Sequence, residues 1–508
     1  MSGKHSIPPR GLEFGASPAA AKLNFQGLFG RMFPDLPAAK YGNDSITKLT
    51  KLAAKMISGF DAPKDGKDEE ESGIPALYTY LGQFIDHDIT FDPASSLQKQ
   101  NDPNALTDFR SPALDLDNVY GRGPDDAPFM YDEKGAFLLG TRITGGDPMA
   151  TDLPRDSGPR QRAIIGDPRN DENSIVSQLQ GLFLRFHNRT LAENPKDIFQ
   201  DIQKRVRFHY QYVVVNDFLP RIVDSSVLNA LKTKGRYDAA KLKFFKPKDP
   251  PFMPIEFSAA AYRLGHSMVR PGYRLNDFIL LPIFPVAKIP AGNPPLPEGL
   301  TGFCKLISNW GIDWGRFIDV DTRVYNGSVV DNFRRLQFAY RIDTSLVFPL
   351  GNLPVSVANT KPFSLALRNL ERGFSLGLPN GQEVARAMGE PVLDDKHILI
   401  GKGVDKPAAD EKPVPISDID PIFEGNCPLW TYVLAEAMQH KMTVEIPVTG
   451  KVPITTPRLG PVGGRIVAEV FLALMFSDKS SFLTLDPNWH PKDPKYALKD
   501  FVKFALGE

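Results

Sequence analysis

Apolar residues recur along this chain mostly at helical spacing. Leu77, Tyr80, Leu81, Phe84 and Ile85 fall at i, i+3, i+4, i+7 and i+8, and Ile175, Leu179, Leu182, Phe183 and Phe186 repeat that rhythm. Phe257, Ala261, Leu264 and Met268 share it, which predicts a third helix. Residues 466–476 are apolar apart from Glu469, too few for a membrane span, so they predict a buried helix. Strand-like alternation is short and rare, as in residues 442–448. Irregular connections separate these stretches. Residues 61–72 form a charged, turn-rich segment expected at the surface, residues 282–297 hold six prolines, and residues 405–415 read as another exposed link. None is long enough to be an interdomain linker. The pattern predicts a mainly α protein, a single large multi-helix domain with long irregular loops and little β. The expected division is a loosely ordered arm over residues 1–45 and one domain over 46–508.

Composition narrows the class. The chain has 508 residues, 42% hydrophobic and 24% charged, which excludes disorder over most of its length. Lys+Arg and Asp+Glu both number 60, so no net charge points to a nucleic acid or an anionic membrane as partner. Two cysteines, Cys304 and Cys427, allow at most one bridge and no thiolate metal cluster. Residues 1–9 lack an apolar core, so no secretory signal is expected, and export by another route or a cytoplasmic location both stay open.

Polar chemistry concentrates in four places. Gln83, Asp86 and His87 stand at i, i+3 and i+4, so they share one face near the end of an apolar helix, with Asp88 about 100° further round. Such a cluster is ordinarily a solvated cap, but buried it needs partners. Residues 166–173 (GDPRNDEN) precede the helix that starts near Ile175 and suit an N-cap. His187 on that helix reads as structural. His266 sits on an apolar helix beside Gly265, which removes a side chain and would let a flat ligand such as haem approach the imidazole. Residues 111–117 alternate Ser111, Ala113, Asp115 and Asp117, which in an extended loop would aim oxygen groups at one hard cation or simply form an alternating surface strand. Residues 460–465 (GPVGGR) look superficially like a phosphate-binding turn but lack the preceding strand, so tight helix packing is the expected role.

In this order the segments resemble the peroxidase–cyclooxygenase superfamily, the animal-type haem peroxidases, in a bacterial-type form. The likeness is carried by residues 82–88 (GQFIDHD), 114–121 (LDLDNVYG), 152–155 (DLPR), 166–169 (GDPR) with Glu172, 184–189 (LRFHNR), 262–266 (YRLGH) and 368–373 (RNLERG), and it spans about residues 75 to 480. The resemblance implies that His266 is the proximal iron ligand, that Asn369 accepts its Nδ1 hydrogen, and that Arg372 lies near a haem propionate. It implies His87 as the distal acid–base group, Gln83 as its neighbour at the peroxide or halide position, and Arg169 as the cationic partner. Asp86 and Glu172 match the carboxylates that esterify the haem b methyls, and Asp88 with Ser111, Ala113, Asp115 and Asp117 matches a calcium site.

The implied activity is that of a haem peroxidase, which uses hydrogen peroxide to oxidise small phenolic, halide or pseudohalide substrates through a ferryl intermediate. Some positions depart from the pattern. Asn173 stands where some mammalian relatives carry a methionine that forms a third haem link. Arg263 stands where cyclooxygenases and α-dioxygenases place a radical-forming tyrosine, with Tyr262 one residue earlier. Asp117 stands where serine is frequent in mammals. A fatty-acid dioxygenase on the same scaffold is the alternative activity, and a non-catalytic haem-binding module is a further reading that retention of His87 and Arg169 opposes.

Overall fold

A computed structural model describes residues 29–90, 112–285, 299–325, 328, 332–355, 357–358, 360–409, 411–446 and 452–508. Its longer helices are α1 (Ser45–Met56), α2 (Leu77–Ile89), α3 (Ser174–Glu193), α4 (Phe199–Val213), α5 (Leu365–Ser375), α6 (Gly381–Met388), α7 (Leu429–Ala437), α8 (Pro461–Ser477) and α9 (Leu498–Leu506). Among the described residues strands pair only two at a time. The longest pairing is antiparallel, β3 (Lys441–Ile446) with β4 (Val452–Pro457), and β1 (Glu71–Pro75) pairs with β2 (Phe338–Tyr340). The fold is mainly α.

The helix rhythm of the sequence translates directly into packing. Phe84 of α2 stacks on Phe183 of α3 with centroids 4.3 Å apart, and Tyr210 of α4 meets Phe84 edge-on at 6.2 Å. Phe186 on the next turn of α3 stacks on Phe501 of α9 at 4.0 Å. Each such buried ring is worth roughly 3–5 kcal/mol against alanine. Asn173 caps α3, its Oδ1 accepting from the backbone of Ile175 and Val176 at 3.0 and 2.9 Å. No side chain caps α2. Its entry is held instead by Ala76 and Leu77 N–H groups donating to the carbonyls of Gln337 and Phe317.

Helix α8 is buried along almost its whole length, and the carboxylate of Glu469 accepts from the backbone of Lys243, Phe244 and Phe245 and from Arg465. Residues 460–465 are a packing device. A Cβ on Gly463 would lie 2.5 Å from Val433 Cγ1, and one on Gly464 2.9 Å from Val223 Cγ1. No helix among the described residues is long and apolar enough to cross a membrane. Cys304 is exposed and Cys427 buried.

Several expectations change. The helix expected over Phe257 to Met268 is broken: Ile255–Ser258 forms one α turn, Ala260 leaves the helical region at φ −134°, and Ala261–His266 forms a tighter 3-10 turn. The break lets Phe257 and Tyr262 stack at 4.7 Å, with Phe471 of α8 edge-on to both. The charged segment 61–72 is not all surface. Glu70, Glu71 and Ser72 are buried, because Arg270 and Arg335 arrive from distant segments to neutralise Glu71 and Tyr325 donates to it. Within the expected loose arm, Phe29, Met32, Phe33 and Tyr41 are buried, and Met32 and Phe33 donate backbone hydrogens to Glu256. Of the strand expected over 442–448, residues 442–446 lie in β3, and residues 447 and 448 lie outside the described residues, as do 286–297 of the proline-rich loop.

Candidate active site

His87 and His266 line one cavity of about 240 Å³ together with Gln83, Asp86, Glu172 and Asn173. His87 comes from the last turn of α2 and His266 from the end of the 3-10 turn, so the broken helix is what brings the second imidazole here. Much of the remaining wall is apolar, including Phe218, Met268, Ile283, Phe284, Leu350, Leu353 and Leu365. A Cβ at Gly265 would project into open space with no atom within 4 Å. That is the clearance the sequence predicted next to His266.

Nδ1 of His87 lies 2.7 Å from Oδ1 of Asn170, whose Nδ2 donates to Oε1 of Gln180 at 2.9 Å. Burial, then the nearby Arg169 charge, pushes the His87 imidazole down to about 4, so it is neutral at pH 7. Gln83 donates Nε2 to Glu172 Oε1 and accepts from Asn173 Nδ2 at 3.3 Å. Burial pushes Glu172 up to about 7, against the opposing charge of Arg169. Nδ1 of His266, in the same cavity, lies 2.8 Å from the Asn369 amide, and burial followed by the Arg263 charge pushes His266 down to about 3.

Three expected features are arranged differently from the sequence reading. Arg169 does not line the cavity with His87. Its guanidinium donates to the carbonyls of His87 and Thr90 and pairs with buried Asp167, and it lines an adjoining polar cavity of about 150 Å³ with Asp86, Arg263 and Arg372. Asn369 presents Nδ2, not Oδ1, to His266, because Oδ1 faces Arg263 Nη1 at 3.4 Å. An iron-ligated imidazole carries its proton on Nδ1, so ligation goes with the opposite amide rotamer.

The third difference is the 111–117 segment, of which Ser111 lies outside the described residues. Leu116 adopts a left-handed conformation (φ 63°) and Asp117 opens a short helix, Asp117–Tyr120, so Ala113, Asp115 and Asp117 do not alternate along an extended strand. Asp88 Oδ2 does reach this segment, accepting from Leu116 N at 3.2 Å and from Tyr210 OH at 3.1 Å, while Asp115 Oδ1 accepts from Asp117 N at 3.3 Å. Among the described residues, no three Asp, Glu, His or Cys side chains gather as a metal cage. His187 is structural, buried between Tyr120 OH at 3.1 Å and the Gly135 carbonyl at 3.0 Å.

Sequence reasoning missed Asn170, Gln180 and Arg263. Asn170 stands beside Arg169, but its type fits a helix-start segment so well that no signal separates it. Arg263 stands in sequence as a motif residue in the place of a tyrosine, yet it lines both cavities.

The profile of the animal haem peroxidase family matches residues 95–282, which contain Asp115, Arg169, Glu172 and His266. The fold aligns over 94% of its length with 94% of peroxidase A from Dictyostelium discoideum, at a TM-score of 0.57 and 15% identity. Residues 95–282 thus match the animal haem peroxidase family, and the fold over most of the chain is shared with that peroxidase. The fatty acid α-dioxygenase of Oryza sativa shares the fold at a TM-score of 0.53 and 14% identity, over 95% of this chain and 79% of that one. In sequence, the peroxidase-like protein of Margaritifera margaritifera is 25% identical over 372 residues, 59% of this chain and 44% of that protein, so the chain spans less than half of that relative. The matched family is one of haem peroxidases, and the cavity suits a haem. It offers two histidines, open space beside Gly265, an apolar lining, and arginines in the adjoining polar cavity to meet carboxylates.

Proposed function

We propose that this chain is a haem peroxidase that uses hydrogen peroxide to oxidise small phenolic, halide or pseudohalide reductants. The observation that carries the reading is a neutral, buried imidazole, His87, whose Nδ1 is engaged by Asn170 and which shares a cavity with a second histidine. His266 would hold the iron, with Asn369 oriented toward its Nδ1, and Arg263 and Arg372 would meet the propionates. Asp86 and Glu172, both in the cavity wall, would supply the ester links. When bound, haem supplies the metal that takes up peroxide and the oxidising equivalents passed to the reductant.

The chain's own residues manage the protons. With Nδ1 donating to Asn170, His87 Nε2 keeps a lone pair, takes a proton from incoming peroxide and returns it to the departing oxygen. Gln83, fixed between Glu172 and Asn173, aims an amide into the same space. Arg169 acts through the backbone carbonyl of His87 and through its charge, which adds to burial in keeping the imidazole neutral. Calcium held by Asp88 with the 111–117 segment would tie down the end of α2, a role supported by the Asp88–Leu116 contact.

A fatty-acid dioxygenase is the second reading, favoured by the apolar stretch Ile283, Phe284, Leu350, Leu353 and Leu365. His87→Ala tests the first: the protein should retain haem and lose on the order of 100-fold or more in its rate with peroxide. An unchanged rate overturns the assignment, and oxygen uptake with a free fatty acid would favour the dioxygenase.

A further inference from the structure

The side chain next to Arg169 is not surface decoration. Asn170 sits in the 3-10 turn Pro168–Asp171, which Asp167 caps by accepting from Arg169 N at 2.8 Å, so its backbone position is fixed. Asn170 and Gln180 have no exposed surface and His87 is 5% exposed. A primary amide has one accepting and one donating end. The donating end of Asn170 is committed to Gln180 Oε1 at 2.9 Å, so its accepting end is the one that faces His87 Nδ1 at 2.7 Å.

From this geometry we infer that Asn170, oriented by Gln180, selects the Nδ1–H tautomer of His87 and so leaves Nε2 as the proton acceptor in the cavity. Both are positioning residues, and the inference rests on His87 being the base. Arg169 cannot do this work, since it binds the backbone carbonyl of His87 and not the ring. Gln180 does not line the cavity. Its Nε2 is buried without a partner among the described residues, a cost that a leucine in the same space would avoid. What the glutamine gains is the single contact through Oε1. Without the chain of two amides, a neutral histidine ring favours Nε2–H, which offers peroxide a donor where a base is needed.

The test labels the eight histidines of the full chain with ¹⁵N and reads ring-nitrogen chemical shifts, the His87 signals being assigned by their loss in His87→Gln. The wild-type protein should show Nδ1 protonated and Nε2 bare; Nε2–H there overturns the proposal with no variant needed. Asn170→Leu should move the proton to Nε2, Asn170→Asp should keep it on Nδ1, and Gln180→Leu should give a mixture. Unchanged Nδ1–H in folded Asn170→Leu also overturns it. In haem-loaded protein, Asn170→Leu should slow the peroxide reaction on the order of 10-fold or more with unchanged haem content, and Asn170→Asp should recover most of it. The tautomer is read without turnover. Failure of His87 as the base would appear as an unchanged rate in His87→Ala, whatever the shifts report.

Discussion

Burial beside Arg169 pushes the His87 imidazole down to about 4 from the usual 6.5, and only the neutral ring can take a proton from peroxide. Lowering the pH therefore perturbs the proposed base directly. A displacement of that size corresponds to about 3 kcal/mol of preference for the neutral form. At pH 5.5 a ring titrating near 4 is roughly 97% neutral, whereas an ordinary histidine is about 9% neutral, a tenfold difference in active base. The assay is the rate of the peroxide-induced change in haem absorption, followed by stopped flow from pH 8 to 4, with far-UV circular dichroism checking the fold. The rate should stay flat to about pH 5 and reach half its plateau near 4. The sign follows from the role, because a base is lost as it protonates. Arg169→Gln removes a charge that depresses His87 and leaves Asp167, which raises it, so the midpoint should move upward. A wild-type midpoint near 6.5, or one that does not move in Arg169→Gln, would refute the argument. Acid collapse is opposed by Glu436, pushed up to about 7 by burial. The native state holds a proton on it that the unfolded chain releases above about 4.5, so it favours folding as pH falls through this window.

Other outcomes follow from the same contacts. In acidified butanone, haem should stay with the wild-type protein if Asp86 and Glu172 form esters, and the double variant Asp86→Asn, Glu172→Gln should release it; complete extraction from wild type removes the ester proposal. Dialysed protein should carry one calcium per chain by atomic emission, and Asp88→Asn should lose it and melt at lower temperature; a calcium-free wild type counts against the site. Glu71→Gln leaves Arg270 and Arg335 buried without their carboxylate, so unfolding in denaturant should show a loss of roughly 3–5 kcal/mol. A loss under about 1 kcal/mol would mean that water reaches the cluster.

The sequence by itself determined the helices that carry the distal wall. The apolar rhythm of α2 and α3 is local, and it also fixes which polar residues share the face bearing Gln83, Asp86 and His87. It determined the cap at Asn173 and the clearance at Gly265, since one needs only an N-cap type and the other only a missing side chain. Tertiary structure decided the rest. Periodicity could not see the break at Ala260, because the apolar spacing from Phe257 to Met268 survives while stacking of Phe257, Tyr262 and Phe471 dictates the backbone. Charge patterning put residues 61–72 on the surface, and only arginines about 200 and 264 residues away make a buried Glu71 tolerable. The direction of Arg169 and the pairing of Asn170 with His87 depend on contacts spanning more than 80 residues. Residue type at a motif position carries no information about which way such a side chain turns, because the partner that decides it arrives only when the chain folds.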